Sequence, residues 1–437
     1  MGYANKVLPL RKQAEIRLKW LGDRLDKILP DLMKEAGIDM WVVFSQENNE
    51  DPVMKTLLPP PMWGSRRRTM LMFFLREDNT VERISISRPD VGMDKLYNSV
   101  WLNQADSDWA RFAALSPSVP NVQYEGPKET QVECAKRFID KLAPKKIGLN
   151  YTQNEAYGDG ISHGMFTWFA EGVGEENAAK IVSASGLCTR WLEARLPEEI
   201  EAMTGIVLLT EEVLSEALSQ NVIHPGITTA SDLSWWVRQR CEDLNLDPWF
   251  HPSATLKRHG GTSRSGDTVI QGGDVICIDM GIDYLGFCTD IKGTAYVLKR
   301  GEKEPPAGIQ ALFEHGIRVE NIIAEEIAVG RTGNEILASC LDRAESEGIR
   351  AMIYNHPIGV YGHGAGPTMG LVDNQTFVKF RGENNVYDNT CFSMEFNVSA
   401  NIPEWGGELL THNVETDVAF TGGKVEFFRR QEKLYLV

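Results

Sequence analysis

No apolar run in the 437 residues approaches the roughly 20 residues needed to span a bilayer, so no membrane-spanning helix is expected. The opening MGYANKVLPLRKQAE lacks the apolar stretch of a secretory leader, which reads as a cytoplasmic protein, although a chain trimmed of a leader would begin the same way. Cysteine is scarce and scattered, at 134, 188, 241, 277, 288, 340 and 391, with no CxxC pair. An odd number without pairing excludes a disulfide framework and a thiolate metal knuckle, and suits reduced, buried thiols. Positive charge is also short: 45 Lys and Arg stand against 61 Asp and Glu, for a net charge of −16. That balance excludes a basic nucleic-acid footprint and attraction to an anionic membrane. There is no low-complexity segment and no short-period solenoid repeat.

What is present suits a soluble α/β (α+β) chain of two domains, 1–185 and 186–437, because this length exceeds one ordinary core. In the first, apolar residues recur at helical spacing over 8–37, ahead of the strand MWVVF and a long Pro-rich loop. The strands TMLMFFLR and VERISIS follow, then helices near 106–115 and 130–142, the strand KIGLNY, a helix at 160–171 and the strand KIVSAS. In the second, a helix begins at Pro197, and Thr229 or Ser231 caps another. Helices are also expected at 306–326 and 334–348. Each pair of helices precedes a strand pair, so the domain reads as two related halves.

Both strand pairs carry carboxylates. VICIDMGIDYLGFCTDIKGTAYV (275–297) delivers Asp279 and Asp290, while CFSMEFNVSA and THNVETDVAFTGG deliver Glu395 and Glu415. Carboxylates facing one another inside a sheet are costly unless a cation neutralises them. Taken singly, each has an ordinary reading as a turn or edge residue, and His356 as a core or loop histidine. Together the five make an oxygen-dominated set that suits Mn, Co, Fe, Zn or Mg rather than a thiolate-seeking metal.

These motifs resemble the pita-bread metallopeptidases, the family of methionine aminopeptidase, aminopeptidase P and prolidase, with creatinase as a metal-free relative. GGDVICIDMGIDYLGFCTD looks like that family's aspartate element, and NHPIGVYGH like its histidine element. SMEFNV and HNVETDVAFT stand where it has its two glutamates. The resemblance covers about 186–437 and implies a pita-bread domain with pseudo-two-fold halves behind a creatinase-type N-terminal αβ domain. It implies five metal ligands, Asp279, Asp290, His356, Glu395 and Glu415, holding two divalent ions, manganese first, with cobalt, zinc or iron as alternatives. Glu395 would also be the general acid/base, and His363 a catalytic residue contacting the substrate. A second substrate histidine lies upstream of Asp279, with His259 preferred over His251. The chain departs from the pattern at Lys292 and Gly293, which replace a Thr-Arg pair, and at Phe396, Asn397, Asn413 and Pro357. These departures leave the five ligand positions filled and bear on proline specificity. Arg66, Arg67 and Arg68, beside Trp63, read as a solvated turn or as a holder of a substrate carboxylate.

The expected activity is hydrolysis of the N-terminal peptide bond of a short peptide, plausibly Xaa-Pro, by a homodimer. Two rivals are a creatinase-like metal-independent C–N hydrolase and a pita-bread protein that binds without catalysis.

Overall fold

The protein is described by a computed structural model over residues 7–87, 92–105, 126–261 and 263–437. The helix expected near 106–115 lies outside those residues. Contacts divide the chain into two compact units, Leu10–Trp191 and Leu192–Val437, the latter taking in residues 7–9. The expected junction at 185 and 186 falls at the start of a helix, Ser185–Glu193, within which the units divide.

The first unit is built on six strands: β1 (Met40–Gln46), β2 (Arg68–Leu75), β3 (Val81–Ser85), β4 (Asn98–Ser99), β5 (Ile147–Leu149) and β6 (Ile181–Ser183). Their order is β4-β3-β2-β1-β5-β6. β1 is central, and alternate residues Met40, Val42 and Phe44 join one core with helices α3 (Gln131–Leu142) and α4 (His163–Val173). The single helix expected over 8–37 is two, α1 (Leu10–Lys27) and α2 (Leu29–Ala36). Pro30 lies in the first turn of α2, where its missing N–H costs nothing, whereas inside a continuous helix its ring would meet the preceding turn. Gly37 closes α2 at φ 62°, as its position predicts.

The second unit repeats a layout. Helices α5 (Pro197–Ala217) and α6 (Ala230–Asp243) precede β7 (Ser253–Lys257), β8 (Val275–Met280) and β9 (Ile291–Tyr296). Helices α7 (Ala307–Glu326) and α8 (Gly333–Ser346) precede β10 (Arg350–Ile353), β11 (His356–Pro357), β12 (Thr390–Ile402) and β13 (Glu408–Thr421). Thr229 caps α6 and Thr332 caps α8, each in a reciprocal box with the acid three residues on. The core of this half closes where α7 lies on β12 and α8 on β10, with Phe392, Met394, Phe396 and Val398 at its centre.

Register fixes what faces what. In the first half β8 lies between β7 and β9, pairing Ser253 with Asp279 and Asp279 with Lys292. In the second half β12 pairs Glu395 with Glu415 and His356 with Ser393. Asp290 immediately precedes β9 rather than lying within it.

Candidate metal centre

The strand period of two aims Asp290 and Lys292 to one side, and Asp279 stands opposite Lys292 in the ladder. The β12–β13 hairpin brings Glu395 and Glu415 to the same place, and β11 supplies His356. The ring Nε2 of His356 lies 3.8 Å from Asp290 Oδ2, 3.8 Å from Glu395 Oε2 and 3.6 Å from Glu415 Oε1. Its Nδ1 is 3.1 Å from the Pro357 carbonyl, which only accepts, so Nδ1 donates there and Nε2 is turned toward the carboxylates. Nε2 is buried and makes no hydrogen bond. Three carboxylate oxygens gathered round one ring nitrogen repel one another unless positive charge lies between them. The donor atoms of His356, Glu395 and Glu415 lie within 4.8 Å of one another, close enough to draw in on one divalent ion, and Asp290 Oδ2 stands 3.8 Å from the same His356 nitrogen.

Supporting groups hold the donors. Ser393 Oγ donates to Glu415 Oε1 at 3.0 Å, and the Asp290 backbone N–H donates to Asp417 Oδ2 at 2.9 Å. Burial pushes the Asp290 and Asp417 carboxyls well above the usual carboxylate range, with Glu415 adding to each. Burial also raises Glu395, again helped by Glu415 and opposed by Lys292. Asp279 is raised to about 6 by burial, against the pull of Lys292. At Glu415 burial acts upward too, but the Lys292 charge, with His356, overcomes it and holds the carboxyl at about 2.

Lys292 is the group whose placement the motifs did not convey. Its Nζ donates to Glu415 Oε2 and, at 2.6 Å, to Glu395 Oε1, and stands 3.3 Å from Asp279 Oδ2. Burial alone would lower its proton affinity, but Glu415, Asp279, Glu395 and Asp290 keep it firmly protonated. Oxygens of Asp279, Glu395 and Glu415 thus turn toward an ammonium. The signal was in the sequence: a lysine two residues after Asp290 on a strand must share its face. The neighbouring Gly293 shows why no arginine stands there, since a Cβ would lie 2.7 Å from Leu214 of α5.

His363 is brought to the centre. Its ring meets His356 edge-on at 4.8 Å and Trp249 at 5.4 Å, and its exposed edge is open to an arriving molecule. His259 is not. It stacks on Trp405 at 5.9 Å and lies 3.7 Å from Glu408, at the far end of the β12–β13 hairpin. It lies in the turn after β7, six residues on from Ser253, the partner of Asp279. Arg258, forked onto Asp274 at 2.6 and 2.7 Å, pins this loop outward. The preference for His259 is therefore corrected. His251, two residues before Ser253 and against Trp235 at 4.7 Å, is the upstream histidine on the Asp279 end of the strand. In the first unit, Arg68 lies over Trp168 at 3.9 Å, Arg67 occupies a turn at φ 55°, and exposed Trp63 carries Arg17 at 5.0 Å.

Comparison with known proteins follows this geometry. The profile of Metallopeptidase family M24 matches residues 201–417. Two curated proteins described as "Putative Xaa-Pro aminopeptidase" are similar. That of Mycoplasma genitalium is 22% identical over 58% of this chain and 72% of its own length, and that of Mycoplasma pneumoniae 25% identical over 53% and 63%. Among solved structures, an X-Pro aminopeptidase from Thermotoga maritima superposes with a TM-score of 0.61 at 15% identity, covering 93% of this chain and all of that one. A Xaa-Pro dipeptidase from Bacillus anthracis gives 0.57 at 16% identity, covering 97% of this chain and all of its own. Both likenesses bear on the fold, which is the mixed α/β pita-bread fold that the resemblance implied.

Proposed function

Since this chain belongs to metallopeptidase family M24, we propose that it hydrolyses the N-terminal peptide bond of short peptides, with proline favoured after the scissile bond. The observation that carries the reading is the convergence of Asp290, Glu395 and Glu415 on the buried His356 Nε2. A divalent ion bound there, manganese by preference, supplies Lewis acidity and an acidified water. Glu395 would be the carboxyl that takes up a proton on the attacking side and gives one to the departing nitrogen. His363 donates to the carbonyl oxygen as negative charge gathers on it. His251 meets the substrate amide from the β7 side. Trp249, stacked edge-on with Phe250 at 4.5 Å, offers a proline ring an apolar wall beside His363. Action in a reducing compartment on free peptides suits the unpaired cysteines, and a homodimer belongs to the same reading. No described helix is long and apolar enough to cross a membrane.

The test is a panel of dipeptides and tripeptides, with and without proline in second place, offered to chelated protein reloaded with Mn, Co, Zn or Fe. We expect metal-dependent release of the first residue from the proline-bearing members. Replacing Glu395 by Gln should lower kcat by roughly 10²–10⁴. Undiminished turnover after chelation would favour a metal-independent hydrolase, and silence with every metal a protein that only binds.

A further inference from the structure

Lys292 is aimed by register. It lies on β9 directly across from Asp279 and two residues after Asp290, so its side chain has no other face to occupy. The two glutamates divide their oxygens between two corners. Glu395 turns Oε1 to Lys292 and Oε2 toward His356, while Glu415 turns Oε2 to Lys292 and Oε1 toward His356. Carboxylates spanning two positions in this way are what a paired-ion site uses, its ions roughly 3.5–4 Å apart. Here one position is filled by a side chain. An ammonium offers three N–H donors and no lone pair, and three carboxylates surround it. It cannot ligate an ion, and it repels one that approaches the same oxygens.

We propose that Lys292 is a permanent internal cation in this centre, taking the place of one of two ions, so that the chain holds a single divalent ion on Asp290, His356, Glu395 and Glu415. The inference rests on the metal-centre reading above. One ammonium and one divalent ion nearly balance the four carboxylates, Asp279, Asp290, Glu395 and Glu415. The ammonium thereby keeps Asp279 and the Lys-facing oxygens of the glutamates in place whether or not an ion is bound. A centre of this kind trades the second ion's ligand sites for independence from a second metal-binding equilibrium.

The experiment is a metal count. The purified full-length chain is dialysed to equilibrium against saturating Mn²⁺, the metal per chain is measured by mass spectrometry, and the Mn²⁺ spins are examined by electron paramagnetic resonance. Wild type is expected to hold one ion per chain with the spectrum of an isolated spin. Lys292→Thr, which removes the ammonium and opens its space, is expected to hold two, with the spectrum of a coupled pair. Two ions in wild type overturn the proposal while leaving the metallopeptidase reading intact. A Lys292→Thr chain that folds, by circular dichroism, yet still holds one ion also overturns it. No ion in wild type overturns both readings. Should the variant fail to fold, the wild-type count alone decides.

Discussion

His412 shows how much a single buried group contributes to pH behaviour. It lies on β13 against Phe313 at 5.2 Å, with Thr294 Oγ1 3.4 Å from its Nδ1, and burial lowers its pKa to about 4. Unfolded, it would titrate near 6.5. Between those values the unfolded chain binds a proton that the folded chain refuses, so stability falls as pH falls. From pH 6.5 to 5 the loss should be about 1.6 kcal/mol, the slope rising toward 1.36 kcal/mol per pH unit as the unfolded chain's histidine becomes fully protonated. Denaturant titrations of wild type and His412→Leu across that range should differ by this slope; parallel curves would remove His412 as the cause. Ser393 acts on the centre instead. Removing its hydroxyl frees Glu415 Oε1, and Ser393→Ala should weaken metal affinity by about 10–100-fold in a calorimetric titration, with the fold unchanged. At this scale the residue types were legible in the sequence, and the structure brings Asp290, His356, Glu395 and Glu415 together as their motifs implied. What was not legible is direction. Two histidines upstream of Asp279 compete on spacing alone, and only the β7 register separates His251 from His259.

The elements that carry the donors tolerate little change. Gly281 follows β8 where Thr289 and Trp249 close over the backbone, and a Cβ there would stand 2.1 Å from the Thr289 carbonyl oxygen. Gly281→Ala should cost about 1–3 kcal/mol or more, because backbone oxygen cannot yield as a flexible side chain does. Thermal unfolding would check this, and an unchanged Tm would mean that the strand connection gives way more easily than its packing implies. Strand and helix types were readable from alternation, caps and glycines. The exceptions are physical. Pro30 divides a periodicity that otherwise runs on through residue 37, and periodicity does not register a missing N–H. Likewise, apolar alternation along β9 hides that Leu214 and Leu218 pack close behind Gly293. The pairing of Glu395 with Glu415 follows from the turn at 403–407, which sets the hairpin register.

At the scale of the whole molecule, the centre ties metal to stability in one unit. All the donors come from Leu192–Val437, within the stretch from Asp279 to Glu415. An ion that binds only the folded unit adds about 2.7 kcal/mol when its concentration is a hundred times Kd. Calorimetry after chelation should therefore lower the transition of the metal-bearing unit and leave that of Leu10–Trp191 where it was. A shift of both would show that the units unfold together. The two-domain plan and the repeated helix-and-strand-pair halves were visible in the sequence, because each half carries its own caps and carboxylates. The Lys292 ammonium among the carboxylates was not, because counting ligands takes no account of a cation the chain itself supplies. The most direct measurement is a crystal structure grown in Mn²⁺ with anomalous data. The account predicts one anomalous peak, bounded by His356 Nε2, Asp290, Glu395 and Glu415, with Lys292 Nζ still on Glu395, Glu415 and Asp279. Two peaks with Lys292 swung aside, or none beside His356, would contradict it.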